Sequence, residues 1–457
     1  MNISLAIATL TVMIILLLYQ LKVWKIRAFL SPGFYFSIIW TLGIVGLLLF
    51  KSIGVYFIEP FPEYINELNT LIGFTALCFI TVTKIGYKKV NKGMINIDYF
   101  RAAHIFNFIS VLYFILSIYV FNTEGSGFDF AEARSSLHST LENRSVLFGY
   151  LRLLSVPLSI YAGSKITKIL LKIERSSFVK FIYLTLPFLS ETLFALTEGG
   201  RVAMVYSLLL YIVGASLTIP LNFKIKARKK IILFAIAIAV FANIMISWIG
   251  SVRSTADGKS YRTELIKDQL GNFQFLYGSI DYVYSSYIGY QYRRVDAVDD
   301  KLGYGQYTFN GFINWQIPFA SRFGINNASI AKSFDIYYDN QETYDFSREY
   351  YYTTHSAYIP IIKDFGFTGA FFIIFFLVYI SHLFFIKVQR KISIRNSIQL
   401  LFYYLFLIYW ARSNFYGTLS ESALIPLYGF LLIDIINILT ASKKKIKRHE
   451  NFSNTRI

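Results

Sequence analysis

Apolar runs of about 17 to 22 residues recur along this 457-residue chain, and that is the length of helix that crosses the hydrocarbon of a bilayer. Inside lipid the backbone must satisfy its own hydrogen bonds, so each run is expected to be a helix. No run shows the alternating pattern of an outer-membrane barrel strand. Hydropathy places the spans near 3–19, 34–50, 65–83, 104–121, 147–163, 178–196, 201–219, 231–250, 366–386, 396–411 and 421–440. The expected fold class is all-α: a polytopic helical bundle of about 11 transmembrane helices with one large external loop. The apolar share of 55% and aromatic share of 18% agree, since a soluble domain usually carries less of both. The first run lacks a basic leader and a small-residue cleavage site, so it is read as a retained span.

A net charge of +18 would suit nucleic acid if the cations formed one face, but they follow the spans instead. Alternate loops hold Lys22, Lys25 and Arg27, then Lys84, Lys88, Lys89, Lys92 and Arg101, then Lys165, Lys168, Lys172 and Arg175. Next come Lys224, Lys226, Arg228, Lys229 and Lys230, then Lys387, Arg390, Lys391 and Arg395, and last the tail KKKIKRHENFSNTRI. Together these hold about 27 basic residues against about 5 in the intervening short loops, a division that reads as cytoplasmic against external. The N-terminus is therefore expected outside and the C-terminus inside. Membrane lipid is the expected surroundings and nucleic acid is excluded as a partner.

The organisation follows: residues 1–250 carry the first eight spans, 251–357 form the polar external loop, 358–441 carry the last three spans and 442–457 are a basic cytoplasmic tail. The loop holds about 15 of the 35 tyrosines, among them the run DYVYSSYIGYQYRR and the triplet Tyr350, Tyr351 and Tyr352. These serve either as packing and an interfacial aromatic belt, or as a platform on which sugar rings stack. Cys78 is the only cysteine, which rules out a disulfide framework and a cysteine metal site.

An external face with few cations makes each one there informative. Arg201 follows the turn TEGG, where Gly199 and Gly200 let the backbone approach a ligand closely, and it opens a helix whose free amides favour anions. Its planar fork suits a phosphate or pyrophosphate, although an arginine at that depth also anchors to headgroups. The same two readings apply to Arg253 in GSVRSTADG and to Arg412 in ARSNFYG. Arg322 reads as a loop residue, and Arg293 and Arg294 as partners of the neighbouring acids in DAVDD on a solvated face. His355 is the one histidine in the large loop, and imidazole exchanges protons near neutral pH. His138 reads as a surface residue of another external loop. No HExxH or DxD spacing lies outside, so no metal and no cofactor are expected. Glu191 is the one acid expected to face the bundle interior.

The arrangement H-S-A-Y-x4-K-D-x-G-x-x-G from His355 to Gly369 closes the long external loop and leads into a helix. It resembles the O-antigen polymerase and ligase superfamily, in which a histidine, an acid and G-x-x-G occupy that place. The GGR ending at Arg201 looks like the family's small-small-Arg motif, Arg253 looks like the arginine that begins its large loop, and the family's Glu appears here as Asp364. Within the superfamily the chain looks most similar to Wzy-type oligosaccharide repeat-unit polymerases. The resemblance implies a metal-independent membrane glycosyltransferase of the bacterial inner membrane, acting on undecaprenyl-pyrophosphate-linked oligosaccharides to build O-antigen or capsule, with a chain-length regulator protein as a further partner. It implies His355 as general base and Arg201 and Arg253 as pyrophosphate ligands, with Asp364, Gly199 and Gly200 in support; Arg412 as a further pyrophosphate ligand and Glu191 in support are expected from their positions alone. An O-antigen ligase, a flippase or transporter of lipid-linked sugars, and a membrane scaffold or sensor are the alternatives; helix interiors that are mostly free of charge and the size of the loop weigh against transport.

Overall fold

A computed structural model describes residues 2–52, 62–100, 103–124, 153–175, 177–197, 202–221, 287, 289–291, 294, 302–305, 308, 358–390 and 428–439. Of these 86% are helical and none lies in a strand. The helices are α1 (Ile3–Trp24), α2 (Pro32–Ser52), α3 (Pro62–Val82), α4 (Ala103–Glu124), α5 (Ser155–Leu170), α6 (Phe178–Thr197), α7 (Val202–Thr218), α8 (Tyr358–Arg390) and α9 (Tyr428–Leu439). Among the described residues, six are long and apolar enough to cross a membrane: α1 to α4, α6 and α8. By the length and composition of these helices the chain is a multi-pass protein whose described residues are mostly helical. The expected spans at 231–250 and 396–411, most of the 251–357 loop and the 442–457 tail lie outside the described residues.

The helices fall into two units, the first built from α1, α2, α3 and α8. Local chemistry sets their ends. The Asn2 side chain accepts from the Leu5 N–H at 3.2 Å, capping α1, and α2 and α3 open on prolines whose missing N–H would have had no helical partner. A 3-10 turn, Lys25–Leu30, joins α1 to α2. Polar side chains tie this corner together. Gln20 donates to Thr83 at 2.7 Å and accepts from Ser31 at 2.8 Å, so one buried amide links α1, the turn and the end of α3. Arg27, one of the loop cations, is fully buried and donates to the Asn91 carbonyl. Trp24 packs edge-on against Tyr87 at 5.1 Å and Phe385 at 4.8 Å, with His382 beside it.

α8 begins at Tyr358, eight residues before the expected 366, because the half-polar segment is itself helical and buried: Tyr358, Ile359, Pro360, Ile361, Ile362 and Asp364 all face inward. The expected start coincides instead with a break. Gly366 adopts φ 69° and ψ 171°, a region that essentially only glycine visits, and divides α8 into a short entering helix and a long span.

The second unit comprises α4, α5, α6, α7 and α9. Its centre is the α5–α7 pair, where two glycines interlock. A Cβ on Gly163 would collide with the Tyr211 backbone, and one on Gly214 with the Ile160 carbonyl. Ser159 and Ser207 lie at 3.3 Å and Ser164 and Thr218 at 2.6 Å across the same seam. Small residues and short hydroxyl bonds are how helices associate where lipid supplies no hydrophobic drive. Gly429 of α9 makes a similar approach to the Leu153 carbonyl. In α6, Pro187 removes one ladder donor, and Tyr211 donates to the Leu184 carbonyl at 2.7 Å. α5 runs to Leu170 where the span was expected to end at 163, since Lys165 and Lys168 are helical residues with partners and not a loop.

Candidate functional site

Two stretches of the 251–357 insertion are seated on membrane helices of the first unit. The earlier one supplies Tyr287, Tyr290, Gln291 and Arg294, the i, i+3, i+4, i+7 stripe of one helix face. α3 answers with a matching polar stripe, and the fit is specific. Tyr287 donates to Asn69 Oδ1 at 3.1 Å, and its ring meets Trp40 of α2 edge-on at 5.5 Å. Arg294 reaches Glu67 with both arms of its fork, Nε to Oε1 at 2.6 Å and an NH2 group to Oε2 at 3.3 Å, while Tyr290 donates to the same Oε1. The guanidinium also lies 5.6 Å from the centre of the Tyr64 ring. Burial lowers the proton affinity of Arg294, but the Glu67 hydrogen bond and charge raise it by more. Side-chain exposures of 13% and 17% for Arg294 and Glu67 make this a largely desolvated pair. The expected pairing of Arg294 with the DAVDD acids on a solvated face is therefore wrong: its carboxylate comes from α3, which is far away in sequence.

The second stretch closes on the start of α8. Gly303 and Tyr304 donate their N–H groups to the Lys363 and Asp364 carbonyls, each at 3.1 Å, and the Thr308 N–H donates to the Asp364 carboxylate at 2.5 Å. Asp364 and Thr308 are both fully buried. A carboxylate oxygen that takes a backbone N–H in such a place holds the loop against the helix just before the Gly366 break. Next to it, Tyr358 and Thr75 share a 2.8 Å hydroxyl hydrogen bond, which ties the same part of α8 to α3.

Of the residues singled out from the sequence, Asp364 is thus placed in the first unit. Glu191 lies in the second, on α6, buried and accepting from the Tyr113 hydroxyl of α4 at 2.5 Å. His355, Arg201, Arg253, Arg412, Gly199 and Gly200 lie outside the described residues, as do His138, Arg293 and Arg322. Among the described residues no group of three or more His, Cys, Asp or Glu side chains could hold a metal ion.

A separate charge cluster occupies the end of α5. Glu174 accepts from Lys180 at 2.8 Å and Lys165 at 3.0 Å and has Lys168 at 3.7 Å, while Lys165 also lies 3.4 Å from Asp98 and Lys168 donates to Asn96. Partial burial works against the Glu174 charge, but the lysines overcome it and hold the carboxyl at about 2. Glu67, Tyr287, Tyr290 and Thr308 were not singled out from the sequence. The legible signal was the helical spacing inside DYVYSSYIGYQYRR, masked by a tyrosine content that invites reading the run as composition.

No protein-family model, no curated protein and no solved structure matches the chain.

Proposed function

We propose that the protein is a membrane glycosyltransferase of the oligosaccharide repeat-unit polymerase kind, joining undecaprenyl-pyrophosphate-linked repeats at the external face of the bacterial cytoplasmic membrane. The observation that carries this reading is the run from His355 to Gly369, which sets a histidine, an acid and two glycines at the close of a long polar insertion. Two described members of that run have built positions: Asp364 holds loop backbone and Gly366 breaks α8. The orientation, with the insertion outside and the basic tail inside, rests on the partition of Lys and Arg.

In this reading both substrates are anchored in lipid, so the reaction belongs at the membrane surface. A glycosyl pyrophosphate is already activated. The acceptor hydroxyl oxygen bonds to the anomeric carbon as the bond from that carbon to the phosphate oxygen breaks, and the hydroxyl proton passes to His355. Arg201 and Arg253, with Arg412, take the charge of the departing pyrophosphate. Fixed cations there act where charge develops. Glu191 supports the helix pair from within.

Deleting the gene should collapse the ladder of surface polysaccharide to single repeats, and His355→Ala should do the same while the protein stays in the membrane. A positioned base is worth about 100 to 10,000-fold in rate. His355→Gln should be as poor, because glutamine keeps a hydrogen bond but takes no proton in this range; a full-length ladder from it would overturn the assignment. Arg201→Ala and Arg253→Ala should each cost about 100 to 1000-fold. Growth of the glycan on its lipid carrier in a strain whose lipid A core accepts none separates a polymerase from a ligase.

A further inference from the structure

We infer that Glu67, on the membrane helix α3, is a positioning residue that seats the insertion carrying Arg253 and His355 by clamping Tyr290 and Arg294. Three features carry this. First, Tyr287, Tyr290 and Arg294 of the insertion lie on one face of a helical stretch, and they meet α3 at Asn69, Glu67 and Tyr64. A stripe so matched is a docking face and not a chance contact of a polar loop. Second, one carboxylate serves both partners, and the guanidinium fork engages it through two nitrogens. Removing Glu67 would strand a largely buried cation, so the docked arrangement depends on that one acid more than on any single tyrosine. Third, the insertion is held again a few residues later, where Gly303, Tyr304 and Thr308 bond to Lys363 and Asp364. The chain between Arg253 and His355 is therefore fastened at two places to helices of one unit.

Neither fastening touches a reacting group among the described residues. They act on the same insertion that carries Arg253 and His355 near its two ends in sequence. A misplacement of about 1 Å of a reacting group costs on the order of 100-fold in rate. The effect on transfer rests on the proposed polymerase reading, while the docking itself does not.

The test therefore has two arms. In a Cys78→Ser background, the pair Asn69→Cys and Tyr287→Cys should be joined by a short bifunctional thiol reagent in native membranes. Adding Glu67→Ala should abolish most of that joining while the protein remains in the membrane. Failure of the pair to join, or joining that Glu67→Ala leaves unchanged, overturns the clamp. In the second arm, Glu67→Ala and Arg294→Ala should each lower transfer about 100-fold, and the exchange Glu67→Arg with Arg294→Glu should restore a ladder that neither single change supports. An exchange no better than the single changes, or single changes with a normal ladder, overturns the positioning role. If deleting the gene leaves the ladder unchanged, the polymerase reading falls alone, and the joining experiment still decides the docking.

Discussion

Glu174 meets three ammonium groups, and they make its charge favour the folded protein. Its carboxyl ionises at about 2 in the folded protein against 4.5 for a free glutamate. A depressed folded value means that the stabilisation is fully present above pH 4.5 and is lost as pH falls from there toward about 2. The unfolding midpoint in detergent should therefore drop between about pH 6 and about pH 3, and Glu174→Gln should remove part of that drop while lowering the midpoint at the higher pH. An unchanged pH response in the glutamine variant would detach Glu174 from acid stability. Neither this cluster nor the Glu67 clamp stood out in the sequence. A lone acid in KIERSS looks solvated because only the fold closes lysines six and nine positions away around it, and Glu67 in NELN looks like helix capping because Tyr290 and Arg294 lie 223 and 227 positions away. Glu191 and Asp364 were visible for the opposite reason: an acid beside long apolar runs is conspicuous without knowledge of its partner.

Helices were more legible than their contacts. Hydropathy located the described spans to within a few residues, and its misses have a common cause. At both α5 and α8 polar residues extend a helix through a stretch that composition assigns to a loop, since Lys165, Lys168 and Asp364 are satisfied by tertiary partners. The α5–α7 seam was hidden differently. SxxxG and GxxxT are each plain in the sequence, but only the fold shows that Gly163 meets Tyr211 and Gly214 meets Ile160. Gly214→Leu should overpack that seam by about 1–3 kcal/mol or more, because backbone on both sides cannot give way, and should reduce the folded fraction in detergent. Gly366→Ala should cost about 1–3 kcal/mol through its backbone angles alone, since the nearest side-chain atom, Cδ2 of Leu302, leaves room at 3.8 Å. A thermal midpoint unchanged by Gly366→Ala would show that the break in α8 relaxes at no cost.

At the scale of the whole molecule, topology is the claim most open to a direct test. In the Cys78→Ser background, Ser333→Cys should react with an impermeant thiol reagent added to spheroplasts and Ser442→Cys should not; the reverse pattern would invert the orientation. A multi-pass chain whose described residues are mostly helical was readable because lipid allows so few backbone solutions, whereas the seating of the insertion depends on contacts between distant positions that periodicity does not encode. The interlocked glycines also bear on how the protein is made. α5 carries Ser159, Ser164, Lys165 and Lys168, and polar and charged side chains are costly in hydrocarbon. Such a helix partitions poorly into lipid by itself. Its partner α7 leaves the ribosome tens of residues later, so α5 must wait at the insertion machinery, or be drawn in from the interface, until α7 arrives to cover its hydroxyls and fit its glycine.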